Sequence, residues 1–284
     1  MTRARIVSRL FGGAGNQLFQ YAAGRALADL RGVDLHIDAR YVGGTRADCL
    51  GHFAKARYVH APDLPPAKSD GILRYGAWRL FGRDPAFHRE RTLAFNPDFF
   101  DLPTNTYLHG YWQSERYFKS IRERLRDDLT FTSALDPANA DMAARIDATP
   151  HAVSVHVRRG DYLDSGSFAA CTPQHYRNAV DRIANDLDGP LTCFVFSNDP
   201  EWARDNLALG AEQVVVDIND ETRGPFDMHL MSRCAHHVIA NSTFSWWGAW
   251  LNPDPAKRVV APRHWFGKAK LANPDLIPEG WVQL

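Results

Sequence analysis

The chain has 284 residues, with 33 Lys+Arg against 33 Asp+Glu for a formal net charge of zero, and 45% of its residues are hydrophobic. That composition excludes a disordered chain or a miniprotein. It also argues against nucleic acid or anionic lipid held by bulk charge, since such binding needs clustered, unopposed Lys and Arg. At roughly 100–200 residues per domain the length suits one large or two ordinary domains. No run approaches the ~18 apolar residues of a membrane span, and the apolar run before Gly12 is too short for a signal peptide. A cytoplasmic protein is expected. Cys49, Cys171, Cys193 and Cys234 show no Cys-x-x-Cys spacing and read as reduced, mostly buried thiols.

In chain order, the apolar run Ile6–Leu10 predicts a strand, Gly12-Gly-Ala-Gly15 a loop, and Leu18–Leu30 a helix stopped by Gly32. Val33–Asp38 predicts a second strand. Residues 43–101 are broken by Pro62, Pro65, Pro66, Pro85 and Pro97 and yield no ordered pattern. Order returns at Tyr107–Trp112, and Ser114 should cap a helix with Tyr117, Phe118, Ile121 and Leu125 on one face. A composition shift over Asp136–Pro150 marks the expected boundary between domains 1–150 and 151–284. Beyond it come strand Ala152–Val157, helix Pro173–Leu187 capped by Thr172, strand Leu191–Phe196, helix Pro200–Leu207 and strand Gln213–Val216. Helix Phe226–Cys234, strand His237–Ala240 and a helix from Ser245 complete the series. Strands separated by helices predict a doubly wound parallel sheet, with ligands at the carboxyl ends of its strands.

Three loops at such ends could do chemistry. His156-Val-Arg-Arg-Gly-Asp-Tyr162 offers two guanidinium groups to an anion, and strand geometry sends Arg158 and His156 to one side and Arg159 to the other. One arginine can face a ligand while the other braces the loop, or either can pair with Asp161. Asn241-Ser-Thr-Phe-Ser-Trp-Trp-Gly248 sets hydroxyls ahead of a helix N-terminus, an anion site or an ordinary cap, and its tryptophans suit packing better than sugar stacking. Gly12-Gly-Ala-Gly-Asn-Gln17 matches the dinucleotide fingerprint only in part, because Leu18 replaces the third glycine; Asp38 stands where a ribose contact would be. Asp199 before Pro200 suits an N-cap, and Asp227 at a helix start suits a cap or an acceptor for a base. Asp186-Leu-Asp188 is a weak metal signal at a helix end, and His236 and His237 point to opposite sides of a strand.

Taken together, GGAGNQLFQYAAGRALA, YLHGYWQSERYF, HVRRGDY, FSNDPEW and DMHLMSRCAHHVIANSTFSWWGAWLN resemble the bacterial alpha-1,2-fucosyltransferase family. The resemblance implies an α/β, glycosyltransferase-B-type fold of two facing Rossmann-like domains with parallel sheets, the first on the acceptor side and the second binding donor. It implies GDP-β-L-fucose as donor, inversion at the anomeric carbon, and no cofactor or bound metal. By the same resemblance Arg158 holds the donor phosphates, His156 contacts guanosine, and Asp227 reads the guanine edge. Ser242, Thr243 and Phe244 line diphosphate and base, and Asn16 approaches the donor from the N-terminal domain. Asp161, Asn198 and Asp199 match motif positions without assigned individual roles. Arg158, Asn16 and Asp161 are the expected catalytic set. The one departure, Val157 for the more common isoleucine, removes no polar group.

The expected partners are GDP-fucose and a galactose-terminated glycan, with no nucleic acid and at most peripheral membrane contact through a lipid-linked acceptor. Without Mg²⁺, charge building on the leaving diphosphate would fall to Arg158 and the helix N-terminus near Thr243. Asp38, His109, Glu115 and Asp161 are base candidates of equal standing. Three rivals make different predictions. An NAD-dependent enzyme would respond to dinucleotide, a glycan-binding module using Trp246–Trp250 would ignore nucleotides, and a transferase with another GDP-sugar would differ only in donor.

Overall fold

The computed structural model describes residues 4–43, 48–53, 59–60, 64–82, 85–159, 171–266 and 272–284. It is α/β, and by internal contacts it separates into two compact units: residues 1–130 with 273–276, and 131–272 with 277–284. The division falls ahead of the expected boundary at 150. The stretch of the composition shift contains a helix, capped by Asp136 (whose Oδ1 accepts from the Asn139 N–H at 2.9 Å) and packed into the second unit through Ala143 and Ile146.

The first unit has a five-stranded parallel sheet built from β1 (Arg5–Phe11), β2 (Asp34–Tyr41), β3 (Val59–His60), β4 (Ala86–Arg89) and β5 (Thr106–His109), in the order β3-β2-β1-β5-β4. Helix α1 (Ala14–Arg31) is buried on nearly every side because it lies over β1 and β2, with Leu18, Phe19, Ala22 and Leu27 fully covered. It starts four residues before the periodicity predicts, so Asn16 and Gln17 lie in its first turn rather than in a loop. Helix α2 (Ile72–Phe81) and strands β3 and β4 arise from the proline-rich stretch that yields no pattern. After β5, Ser114 caps as expected, yet the chain makes two 3₁₀ turns before α3 (Arg122–Asp128) instead of one helix.

The second unit carries α4 (Pro137–Asp147), β6 (Ala152–Val157), α5 (Pro173–Ala184), β7 (Thr192–Ser197), α6 (Pro200–Asn206), β8 (Glu212–Val216), α7 (Gly224–Arg233), β9 (His236–Val238), α8 (Thr243–Leu251), β10 (Val259–Ala261) and β11 (Val282–Gln283). Its sheet is parallel throughout, in the order β11-β10-β9-β6-β7-β8. Alternation along the strands builds one core on each face. Val153, Val155, Val157, Cys193 and Val195 meet Tyr176, Val180 and Ile183 on one side, while Phe194, Phe196, Val214 and Val216 meet Ile146, Leu230 and Met231 on the other. Strands β10 and β11 extend the sheet beyond the four strands expected; three and two residues are too few to show a period.

Candidate active site

In the second unit the first strand, β6, lies between β7 and β9, so successive connections run outward to opposite sides of the sheet from this point. The β6–β9 crevice is therefore the topological switch point, where an open α/β sheet offers a ligand site beyond the carboxyl ends of its strands. The His156 loop leaves β6 there, and the Asn241 loop leaves β9 into the N-terminus of α8.

These two loops are joined through a side chain. His156 is buried, and its Nδ1 lies 2.9 Å from Ser245 Oγ, while that hydroxyl donates to the Ser242 carbonyl at 3.3 Å. With the hydroxyl so committed, Nδ1–H donates to Ser245 and Nε2 is left as an acceptor. Burial, with the nearby Arg158 guanidinium, pushes the ring down to about 3, so the imidazole is neutral at physiological pH. Phe244 packs against it at 5.5 Å. Ser242 caps α8, its Oγ accepting from the Phe244 N–H at 3.4 Å, and Thr243 is the first helical residue.

Of the two arginines, Arg159 has its contacts on the Asn198–Asp199 loop and on α6. Arg159 is the brace: its guanidinium lies 3.7 Å over the Trp202 ring and 3.4 Å from the Asp199 carboxylate, and its N–H donates to Asn198 Oδ1 at 2.9 Å. Asn198 returns a bond from Nδ2 to the Arg159 carbonyl at 3.4 Å, and Asp199 also caps α6 at the Trp202 N–H. Asn198 and Asp199, motif positions without an assigned role, make these bonds to the arginine loop and to α6. Asp161 lies outside the described residues.

Asp227 does not cap α7, whose cap position is Arg223. Its Oδ1 accepts from Asn219 Nδ2 at 2.7 Å, and Asn219 exchanges bonds with Asn139 at 2.9 and 3.0 Å. Burial raises the Asp227 carboxyl to about 7, against the opposing pull of Asn219 and Arg223. Trp246, Trp247 and Trp250 are at most 2% exposed, Trp246 stacked on Trp250 and Trp247 edge-on to both, so they form packing and offer no surface to a sugar.

Asn16 belongs to the first unit, at that unit's own switch point between β1 and β5. Its Oδ1 accepts from Gln113 Nε2 at 2.9 Å. Gln113 was legible within the YLHGYWQ stretch but not singled out, since nothing local marks it as a partner of a helix on another strand. Its loop is held by Glu90, whose carboxylate accepts the Tyr111 and Trp112 N–H groups at 2.6 and 3.1 Å, and burial lifts Glu90 to about 7 despite those bonds. Gly12 turns the chain toward Asn16 at φ +81°, and a Cβ there would sit 2.8 Å from Asn16 Nδ2. Gly12→Ala is expected to cost about 1–2 kcal/mol in urea unfolding from left-handed strain, before any displacement of Asn16 is counted.

The comparisons with known proteins agree with this frame. Residues 91–284 match the model of the glycosyl transferase family 11. An alpha-1,2-colitosyltransferase of Escherichia coli is 32% identical over 98% of both chains. The chain belongs to glycosyl transferase family 11. A galactoside alpha-(1,2)-fucosyltransferase 1 of Lagothrix lagotricha is 28% identical over 84% of this chain and 62% of its own length. Among solved structures, NodZ alpha-1,6-fucosyltransferase soaked with GDP-fucose aligns over 89% of this chain and 94% of its own, with TM-score 0.51 and 16% identity. The two parallel-sheet units are those of a glycosyltransferase-B-type fold, and the protein is a glycosyltransferase.

Within this family-11 chain, three of the four base candidates are spent or weak. Asp38 is fully buried, gripped in a fork by Arg40 (2.9 and 2.8 Å) and bonded by the Tyr107 hydroxyl at 2.6 Å. Burial pushes its carboxyl up, but those bonds outweigh it and hold it below the usual range. The same partners occupy the oxygens a ribose would need, which removes the dinucleotide reading. Glu115 pairs with Arg122 at 2.6 Å. His109 is lowered to about 4 by burial and by surrounding Arg and Lys charge, and its Nδ1 faces the Arg9 donor at 3.4 Å. Among the described residues no group of three or more His, Cys, Asp or Glu could hold a metal ion, and no helix is long and apolar enough to cross a membrane.

Proposed function

We propose that the protein is an inverting galactoside alpha-1,2-fucosyltransferase, moving L-fucose from GDP-β-L-fucose to O2 of a galactose on a glycan acceptor, in the cytoplasm and without a bound metal. The observation that carries this reading is the joining of the arginine loop to the α8 N-terminus through His156 and Ser245 at the β6–β9 switch point. A neutral His156 adds no positive charge there, so the diphosphate falls to Arg158 and to the backbone N–H groups that begin α8, an anion site by construction. His156 Nε2, an acceptor, takes a hydrogen from guanosine, and Asp227 as carboxylate accepts the N1–H and N2–H of guanine.

As the fucosyl–phosphate bond breaks, negative charge grows on the diphosphate oxygen while the sugar gains oxocarbenium character. Arg158 stabilises that charge more in the transition state than in the ground state, which is what accelerates the step. Attack by galactose O2 on the opposite face inverts the anomeric carbon. Of the four base candidates Asp161 is still open to take the hydroxyl proton, alongside water.

A second donor reading is favoured by the 32% identical colitosyltransferase. Colitose is L-fucose without its 3-hydroxyl, and a site that hydrogen-bonds this hydroxyl rejects the deoxy sugar strongly while an apolar one does not. The test is incubation in EDTA with GDP-fucose or GDP-colitose and a panel of β-galactosides, followed by linkage analysis. The expected product is a 1,2-linked fucosyl galactoside. A higher kcat/KM with GDP-colitose moves the assignment to that sugar, and no transfer from either, joined to no stabilisation by GDP, overturns the proposal.

A further inference from the structure

Helix α2 reverses the usual amphipathic arrangement. Its inner side is small: Tyr75 is buried, and Trp78 packs on Tyr75, Phe87 and Tyr107 at 5.9, 5.3 and 5.0 Å, with its indole N–H donating to the Pro85 carbonyl at 3.1 Å. Its outer side is apolar, with Ile72, Leu73, Leu80 and Phe81 exposed by 80, 89, 77 and 79%. Among the described residues no other large hydrophobic exceeds 55%. At ~100° per residue, Ile72, Gly76, Leu80, Leu73, Ala77 and Phe81 follow one another across about 180° of the helix surface with no charge among them. Arg74 and Arg79 stand on the two edges of that arc. Scattered apolar exposure is ordinary, but a contiguous patch marks a surface that is covered in use. The family match begins at residue 91, so this helix lies outside it.

We propose that α2 seats this face in the interfacial layer of an anionic lipid bilayer, making the enzyme a peripheral membrane protein. An apolar face with arginines on both edges is the form that lies in the headgroup region, with Arg74 and with Arg79, whose guanidinium lies 4.6 Å over the Phe87 ring, supplying positive charge near lipid phosphates while the leucines enter the acyl boundary. The surroundings have the matching sign. Lys68 precedes the helix and Arg89 follows on β4, and both act with Arg79 to depress His109. The nearby acid Asp70 is exposed but paired, 3.7 Å from Arg40 and accepting the Ala67 N–H at 2.8 Å. Glu90 is engaged by two backbone N–H groups. A second copy of this chain would set one arginine-edged face against another, whereas lipid phosphates neutralise both edges. The zero net charge of the chain is no obstacle, because apolar burial and a few local cations supply the binding.

Flotation of the full chain with vesicles tests this, comparing phosphatidylcholine alone with vesicles that also contain phosphatidylglycerol. The native protein is expected to float with the anionic vesicles and to be released by salt. Leu73→Glu with Leu80→Glu, and the milder Leu73→Ser with Leu80→Ser, are expected to bind about tenfold less or weaker still, with unchanged melting temperature. Transfer to a soluble galactoside should persist in both, because neither position belongs to the site. Native protein that stays down with both vesicle types overturns the proposal, as does flotation of both double variants at the native level. A native dimer that the variants disperse, without vesicle binding, would instead assign the face to a second copy.

Discussion

Arg158→Ala is expected to lower kcat by about a hundredfold or more, the ~2.7–4 kcal/mol that one preorganised donor contributes to charge stabilisation in a transition state. The reason is local. His156 is pushed down to about 3 and so is neutral at physiological pH, and Arg159 is committed to Asp199 and Trp202, so neither substitutes for the lost guanidinium. Arg158→Lys should recover only part of the rate, since an ammonium cannot grip two phosphate oxygens in a fork. Arg159→Ala provides the contrast: its loss should show first as a lower melting temperature and a raised KM. Steady-state kinetics on the three variants decides the matter, and an Arg158→Ala enzyme within tenfold of native would remove this residue from the chemistry.

Asp227 should make nucleotide binding depend on pH in a direction its surroundings dictate. Guanine offers two N–H donors, which a carboxylate accepts and a carboxylic acid does not. Because burial raises Asp227 to about 7, binding below that pH must expel a proton. The GDP dissociation constant is expected to rise about tenfold per unit below pH 7 and to be flat above pH 8. Asp227→Asn should weaken GDP by about 10–100-fold and abolish that slope, the range for a hydrogen bond to a charged group. Stability moves the other way. The folded value lies above the unfolded 3.8, so the contribution of the protonated group is complete below about pH 4 and is lost as pH rises to about 7. The asparagine variant, uncharged throughout, should therefore melt at or above the native temperature at pH 8 without ligand. Calorimetric titration from pH 5 to 8, with melting scans on the same samples, reads both effects. A pH-independent native affinity would dissociate Asp227 from the guanine.

Both predictions rest on a mixture of local and distant information. The alternation of Val153, Val155 and Val157 and the Thr172 and Asp199 caps are properties of neighbouring residues, and the sequence alone determined them. It likewise determined the family, because five motifs in fixed order leave little freedom. Partners far apart in the chain were decided only by tertiary structure. Asp38 reads as an available acid until Tyr107 and Arg40 close around it, and whether Asp227 caps or accepts from a base is left open until α7 is seen to have Arg223 at its cap position and Asn219 and Asn139 tie Asp227 into a network. That Asn198 and Asp199 engage Arg159, about 40 residues earlier, is likewise a tertiary contact. Helix α2, in the stretch whose sequence yields no pattern, is placed only by tertiary structure, since its buried side is chosen by what it meets: Phe87 and Tyr107 take Trp78 and leave Leu73 and Leu80 outside. Strand and helix follow from dihedral preference and side-chain period, which are local quantities; occupancy of a polar group and the facing of a helix depend on atoms brought together by folding.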